Sequence, residues 1–178
     1  MSVNASRTPL KRNRIGRRAR GVAFASVAAV SLALLSSAPA SAAGVYGPYV
    51  YKNQGHGGCL AGSSTALALE SNCNASITAQ KWKVTTFPSG FVSLKNVSSG
   101  KCIDVNLDRQ IYMNACNNSN YQAFYEVKVT SAVRSYKPAH HAAYCIGVSA
   151  GSGSGNPGKI GIGSCGGKDA SWLQEKVR

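Results

Sequence analysis

Residues 96–124, NVSSGKCIDVNLDRQIYMNACNNSNYQAF, carry Cys102 and Cys116, and they have a counterpart 43 residues earlier in the same chain. Lys52-Asn53 overlays Lys95-Asn96, Gly57 overlays Gly100, Cys59-Leu60 overlays Cys102-Ile103, and Cys73-Asn74 overlays Cys116-Asn117. Another 43 residues on stands Cys145, whose partner in the pattern, Cys165, follows Cys116 by 49. An aromatic landmark closes each unit: Gln80-Lys81-Trp82, Gln122-Ala123-Phe124 and, in reduced form, Ala170-Ser171-Trp172. A fixed period repeated three times marks one supersecondary unit written in triplicate. The units run over about residues 49–90, 91–133 and 134–178. The extra length of the third falls in residues 151–158, a Gly/Ser tract that reads as a lengthened hairpin loop.

Upstream of the repeats the composition changes. Residues 7–20 hold seven basic side chains and no acid, residues 22–35 form an apolar run, and Ala38-Pro39-Ala40-Ser41-Ala42 offers the small residues a signal peptidase takes. The run has 14 residues, short of the roughly twenty that span a bilayer. We therefore expect a signal peptide over residues 1–42 and a secreted, extracellular chain over 43–178 with no membrane span. Seven of the 20 Lys and Arg lie in that leader, so the formal charge of +14 overstates what a partner would meet. The remaining 13, against six acids, are scattered with no run of five. No nucleic-acid partner is expected from such a distribution, while attraction to an anionic cell-surface polymer stays open.

In an oxidising compartment an even number of cysteines in a small domain is a disulfide framework. If each unit closes on itself, the bridges are Cys59 to Cys73, Cys102 to Cys116 and Cys145 to Cys165. Loops of about 15 residues each remove roughly 3 kcal/mol of unfolded-chain freedom. No two cysteines stand two to four apart, so neither a metal nor any other cofactor is expected. Residues 49–52, 91–95, 102–105, 110–113 and 124–130 are rich in Val, Ile, Tyr and Thr and bounded by Gly, Asn and Ser, which predicts short strands. No helical apolar stripe of ten residues occurs after the leader. An all-β body follows: four-stranded units closed threefold into a barrel with a cap, which removes most free edges.

The sequence Cys102-Ile103-Asp104-Val105, followed by a second half-cystine and the Gln-x-aromatic landmark, in three tandem copies, resembles the ricin B-chain-type (Gln-x-Trp) lectin family. The leader is similar to those of actinobacterial exported proteins. The resemblance covers about residues 49–172 and implies a β-trefoil with a glycan or polysaccharide as partner. In that family a carboxylate two residues after the first half-cystine accepts sugar hydroxyls. Here the position is Ala61, Asp104 and Gly147 in turn. Only the second unit keeps the acid, so at most one intact sugar site is implied. Its residues would be Asp104, Tyr112, Asn114, Asn120 and Tyr121, with Tyr112 as a displaced stacking face two positions before Asn114 on the same strand. Asp104 as a turn residue and the tyrosines as ordinary strand positions are the competing readings. Gln80, Trp82, Gln122, Phe124 and Trp172 are assigned to the scaffold, the rings to the core and the glutamines to buried backbone groups.

A glycosidase would need two carboxylates across one cleft, and Asp104 with Asp108 is the only pair close in sequence. Asp108 reads as a hairpin-turn residue. The expected function is a secreted, non-enzymatic, lectin-like module. The alternative is the same scaffold binding a protein or an anionic polymer, with lectin activity lost.

Overall fold

The computed structural model describes residues 43–149 and 158–178. The expected leader, 1–42, and residues 151–157 of the Gly/Ser tract lie outside the described residues. The first unit supplies β1 (Val45–Asn53), β2 (Cys59–Gly62), β3 (Leu67–Glu70) and β4 (Trp82–Thr86). The second supplies β5 (Val92–Asn96), β6 (Cys102–Val105), β7 (Ile111–Asn114) and β8 (Phe124–Lys128), and the third β9 (Val133–Pro138), β10 (Tyr144–Ser149), β11 (Lys159–Ser164) and β12 (Trp172–Lys176). Short 3-10 turns are the only helical segments among the described residues.

The outer strands of the three units join in the antiparallel ring β1-β12-β9-β8-β5-β4, which returns to β1. The inner strands pair as three hairpins, β2 with β3, β6 with β7 and β10 with β11. This is a β-trefoil, and its closed ring leaves no strand edge free in the barrel wall. The bridges Cys59–Cys73, Cys102–Cys116 and Cys145–Cys165 close the three units as the repeat predicts.

Alternation along the hairpin strands sends one residue per unit inward at the same place: Leu60, Ile103 and Ile146, all buried. They meet Trp82, Phe124 and Trp172, each at the start of its unit's fourth strand and fully buried. The indole N–H groups donate to the backbone of the hairpin above them, Trp82 to the Leu60 carbonyl at 2.9 Å and Trp172 to the Ile146 carbonyl at 3.0 Å. Phe124 packs in the same way but has no N–H to give. Close approach explains Gly62: a Cβ there would stand 2.8 Å from the Trp82 ring.

Each turn from barrel strand to hairpin in the first two units is held by a buried asparagine. Asn53 Oδ1 accepts from Gly55 and His56 N–H, and Asn96 Oδ1 accepts from Ser98 and Ser99 N–H. The turns finish on Gly57 and Gly100, at φ of 73° and 66°, where a side chain would be strained. Ala139 and Ala143 replace these residues in the third unit, and a 3-10 turn over Ala139–His141 takes their place. At the other end, β1 starts at Val45, earlier than the expected Tyr49. Gly47-Pro48 breaks the two-residue alternation in sequence, and the strand absorbs it as a register shift between Tyr46 and Tyr49.

Trp82→Ala removes a fully buried ring and its link to the β2 backbone, so it should destabilise the protein by roughly 3 to 5 kcal/mol in equilibrium denaturation. Unchanged stability would contradict this core assignment.

Candidate functional site

On the β6–β7 hairpin Asp104 stands opposite Tyr112 and Cys102 opposite Asn114. Because side chains alternate, these four share the face turned away from the core, and Ile103 and Met113 share the other. The 3-10 turn Asn120–Gln122 then brings Gln122 against Asp104. Gln122 Nε2 donates to Asp104 Oδ2 at 3.1 Å and to the Ala115 carbonyl at 2.7 Å, while its Oε1 accepts from Asn117 N–H at 2.9 Å. Asn114 Nδ2 donates to the same Oδ2 at 3.4 Å.

Asp104 is therefore buried, 2% exposed, and tied through one oxygen only; Oδ1 has no hydrogen-bond partner. Tyr112 is half-buried beside it. Partial desolvation pushes the Tyr112 phenol above its ordinary value, and interaction with the Asp104 carboxylate adds to the shift. Asn120 and Tyr121 are exposed on the 3-10 turn. The Tyr121 ring lies 5.0 Å from that of His140. The structure thus brings Asp104, Tyr112, Asn114 and the scaffold residue Gln122 into one cluster, with Tyr121 at its edge, and gives Asn120 no side-chain hydrogen bond among the described residues. Gln80, Trp82, Gln122, Phe124 and Trp172 are all buried, as the scaffold assignment requires.

The other two lobes carry acids that the overlay misses. In the first, Ala61 faces Ala68, and Glu70 stands opposite Cys59, where the second lobe has Asn114 opposite Cys102. Glu70 Oε2 accepts from Gln80 Nε2, as Asp104 Oδ2 accepts from Gln122. A plain 43-residue shift sets Glu70 on the core residue Met113, because the connection from β2 to β3 is one residue shorter than that from β6 to β7. In the third lobe Gly147 faces Gly161, Cys145 faces Gly163, and Ala170 replaces the glutamine. The lost side chains leave a cavity of about 320 Å³ bordered by Ser164 and Asp169. Asp169 Oδ1 lies 3.4 Å from His56 Nε2, so this acid is shared with the first unit.

The third lobe also contains the string Gly147-Val148-Ser149-Ala150-Gly151, which matches the Gly-x-Ser-x-Gly pattern of a hydrolase nucleophile. Ser149 ends a hairpin strand and donates its hydroxyl to the Lys159 carbonyl at 3.1 Å. Among the described residues no three His, Cys, Asp or Glu side chains gather as metal ligands.

Residues 41–138, more than half of the chain, match the cytolethal distending toxin A/C domain. The chain belongs to that family. The match covers the two units that keep the asparagine clamp and the buried glutamine, and it ends as the divergent third hairpin begins. No curated protein matches the chain. Among solved structures it is similar to a designed threefold-symmetric protein, ThreeFoil, at a TM-score of 0.61 and 16% identity, over 74% of this chain and 100% of that one. That likeness concerns the fold. No helix among the described residues is long and apolar enough to cross a membrane.

Removing the Asp104 charge should lower the Tyr112 pKa toward the ordinary phenol value. Tyrosine-labelled NMR titration of wild type and Asp104→Asn reads this directly, and an unmoved Tyr112 would separate the two side chains.

Proposed function

We propose that the chain is a secreted, non-enzymatic carbohydrate-binding module of the ricin B type, with its working site in the second lobe. One observation carries the reading: a buried carboxylate fixed by two amides through Oδ2, with Oδ1 left without a donor and an aromatic ring beside it. An unmatched buried oxygen is costly, and a sugar hydroxyl is a donor of the size and geometry that satisfies it. With Asp104 almost fully covered, the hydroxyl reaches Oδ1 by displacing the half-buried Tyr112 side chain. The ring then lies against the apolar C–H face of the sugar. Asp104 deals with amides and a phenol, not with a second carboxylate across a cleft, which supports binding in place of glycoside hydrolysis. Export rests on the leader-like residues 1–42 and agrees with six cysteines all paired.

The second reading, a scaffold for a protein or an anionic polymer, is favoured by the 13 Lys and Arg against six acids after residue 42. Salt separates the two. Hydrogen bonds and stacking to a neutral sugar are little screened, whereas polymer binding by exposed cations falls steeply with ionic strength.

A glycan array should identify a neutral sugar that binds weakly, since a single shallow site has few contacts to offset the freedom lost on association. Calorimetry with that sugar should give one site per chain, and Asp104→Asn should lose most of the affinity while folding normally. The amide has one acceptor oxygen and adds a donor where hydroxyl protons arrive. A stoichiometry near three, or full affinity in the mutant, would place the sugar elsewhere.

A further inference from the structure

The three hairpins cover one end of the barrel; at the other, five of its six strands surround a cavity of about 310 Å³. β1 contributes Tyr46 and Tyr49, β4 Val84 and Thr86, β8 Glu126 and Lys128, β9 Arg134, and β12 Gln174. Its size falls within the range of small-molecule pockets. None of these residues belongs to the hairpin faces described above.

The inner wall is a fixed polar network. Tyr136 hydroxyl lies 2.9 Å from Tyr51 hydroxyl and 3.2 Å from Glu126 Oε1, and Gln174 Nε2 donates to Tyr51 hydroxyl at 3.0 Å. Burial pushes both phenols well up, so they remain protonated. Arg134 rests its terminal nitrogens on the β8–β9 turn, donating to the Thr130, Ser131 and Val133 carbonyls. Its Nε stands 3.5 Å from Glu126 Oε1 but is buried without a hydrogen-bond partner. Glu126 directs one oxygen to Tyr136 and Arg134, and its other oxygen meets no protein donor among the described residues. At the rim Lys128 is exposed, and Tyr46, 54% exposed, presents much of its ring to solvent.

We propose that this barrel mouth is a second binding site, independent of the second-lobe site, that takes an acidic monosaccharide, a sugar ring bearing one carboxylate. Each element of the ligand has a counterpart in the pocket. The carboxylate pairs with Lys128 at the rim and lies in the field of the Arg134 guanidinium behind it, two positive charges that outweigh the one acid in the pocket. A ring hydroxyl donates to the free oxygen of Glu126. The ring's C–H face packs on Tyr46 and Tyr49. Glu126 also decides the charge: two cations against one carboxylate favour a monoanion, and the same carboxylate repels a phosphate dianion. A neutral sugar has no charge to pair with Lys128 and Arg134, so it binds less well.

The test is protein-observed NMR titration of residues 43–178 with methyl β-D-glucuronide, methyl β-D-glucoside and inorganic phosphate at two salt concentrations. The proposal expects saturable shifts at Tyr46, Tyr49 and Arg134 for the glucuronide, weakening with salt, and markedly smaller ones for the glucoside and phosphate. Lys128→Glu and Tyr46→Ala change exposed side chains, so both should fold as wild type by thermal unfolding, and each should weaken the glucuronide by about tenfold or more. Asp104→Asn should leave it unchanged, which keeps failure here distinct from failure of the second-lobe site. Glucuronide held no better than glucoside, phosphate held equally well, full affinity in both rim variants, or loss of binding in Asp104→Asn would each overturn the proposal.

Discussion

The buried amide of Gln122 serves backbone and site together. Its oxygen caps Asn117 N–H, its nitrogen reaches the Ala115 carbonyl, and the same nitrogen donates to Asp104. Gln122 is buried, so leaving its amide unpaired would be costly, and the bonds that satisfy it fasten the exposed chain around Cys116 to the barrel. Gln80 does the same in the first lobe, capping Asn74 N–H and reaching the Asn72 carbonyl. The geometry of the outer hairpin face is thus a by-product of how the hairpin is fastened to the barrel. Both lobes give the spare capacity of the glutamine nitrogen to a carboxylate, Asp104 in one and Glu70 in the other.

The third lobe shows what happens without that amide. Ala170 has no polar atoms in its side chain, and the turn is held instead by Ser171 Oγ on the Gly167 carbonyl and Ser135 Oγ on the Ala170 carbonyl. With no amide to orient, no acid is needed opposite it, and Gly147, Gly161 and Gly163 stand where the second lobe has Asp104, Tyr112 and Asn114. The barrel is unaffected, because Ile146 and Trp172 still fill the core and the indole still reaches the Ile146 carbonyl.

Much of the fold was legible in the cysteine period, because a disulfide needs its half-cystines at fixed places on a hairpin and so keeps the repeat in register. The scaffold glutamines and aromatics were legible for the same reason. Asp104 and Gln122 were visible as motif residues, but their contact depends on the 3-10 turn at Asn120, which no periodicity announces. Glu70 was hidden by a one-residue change in hairpin length, since in a strand a shift of one exchanges the core face for the outer face. The barrel mouth was beyond reach in principle: Tyr46, Glu126, Arg134 and Gln174 come from strands up to a hundred residues and more apart, and only the closed ring makes them neighbours.

These two locations differ in what a substitution there does. On a hairpin, alternate residues belong to different tasks, so Asp104 can change while Ile103 keeps the core intact, and one lobe can lose its site without the others noticing. The barrel mouth has no such separation. Arg134 lines the pocket and also fastens the β8–β9 turn, and Glu126 and Gln174 connect to the buried Tyr51–Tyr136 pair that fills the barrel. A change to these inner residues is felt by the closure of the barrel itself, while Lys128 and Tyr46 at the rim are free to vary. Substitution in the lobes therefore acts lobe by lobe, whereas at the mouth only the rim can change without disturbing the wall that closes the barrel.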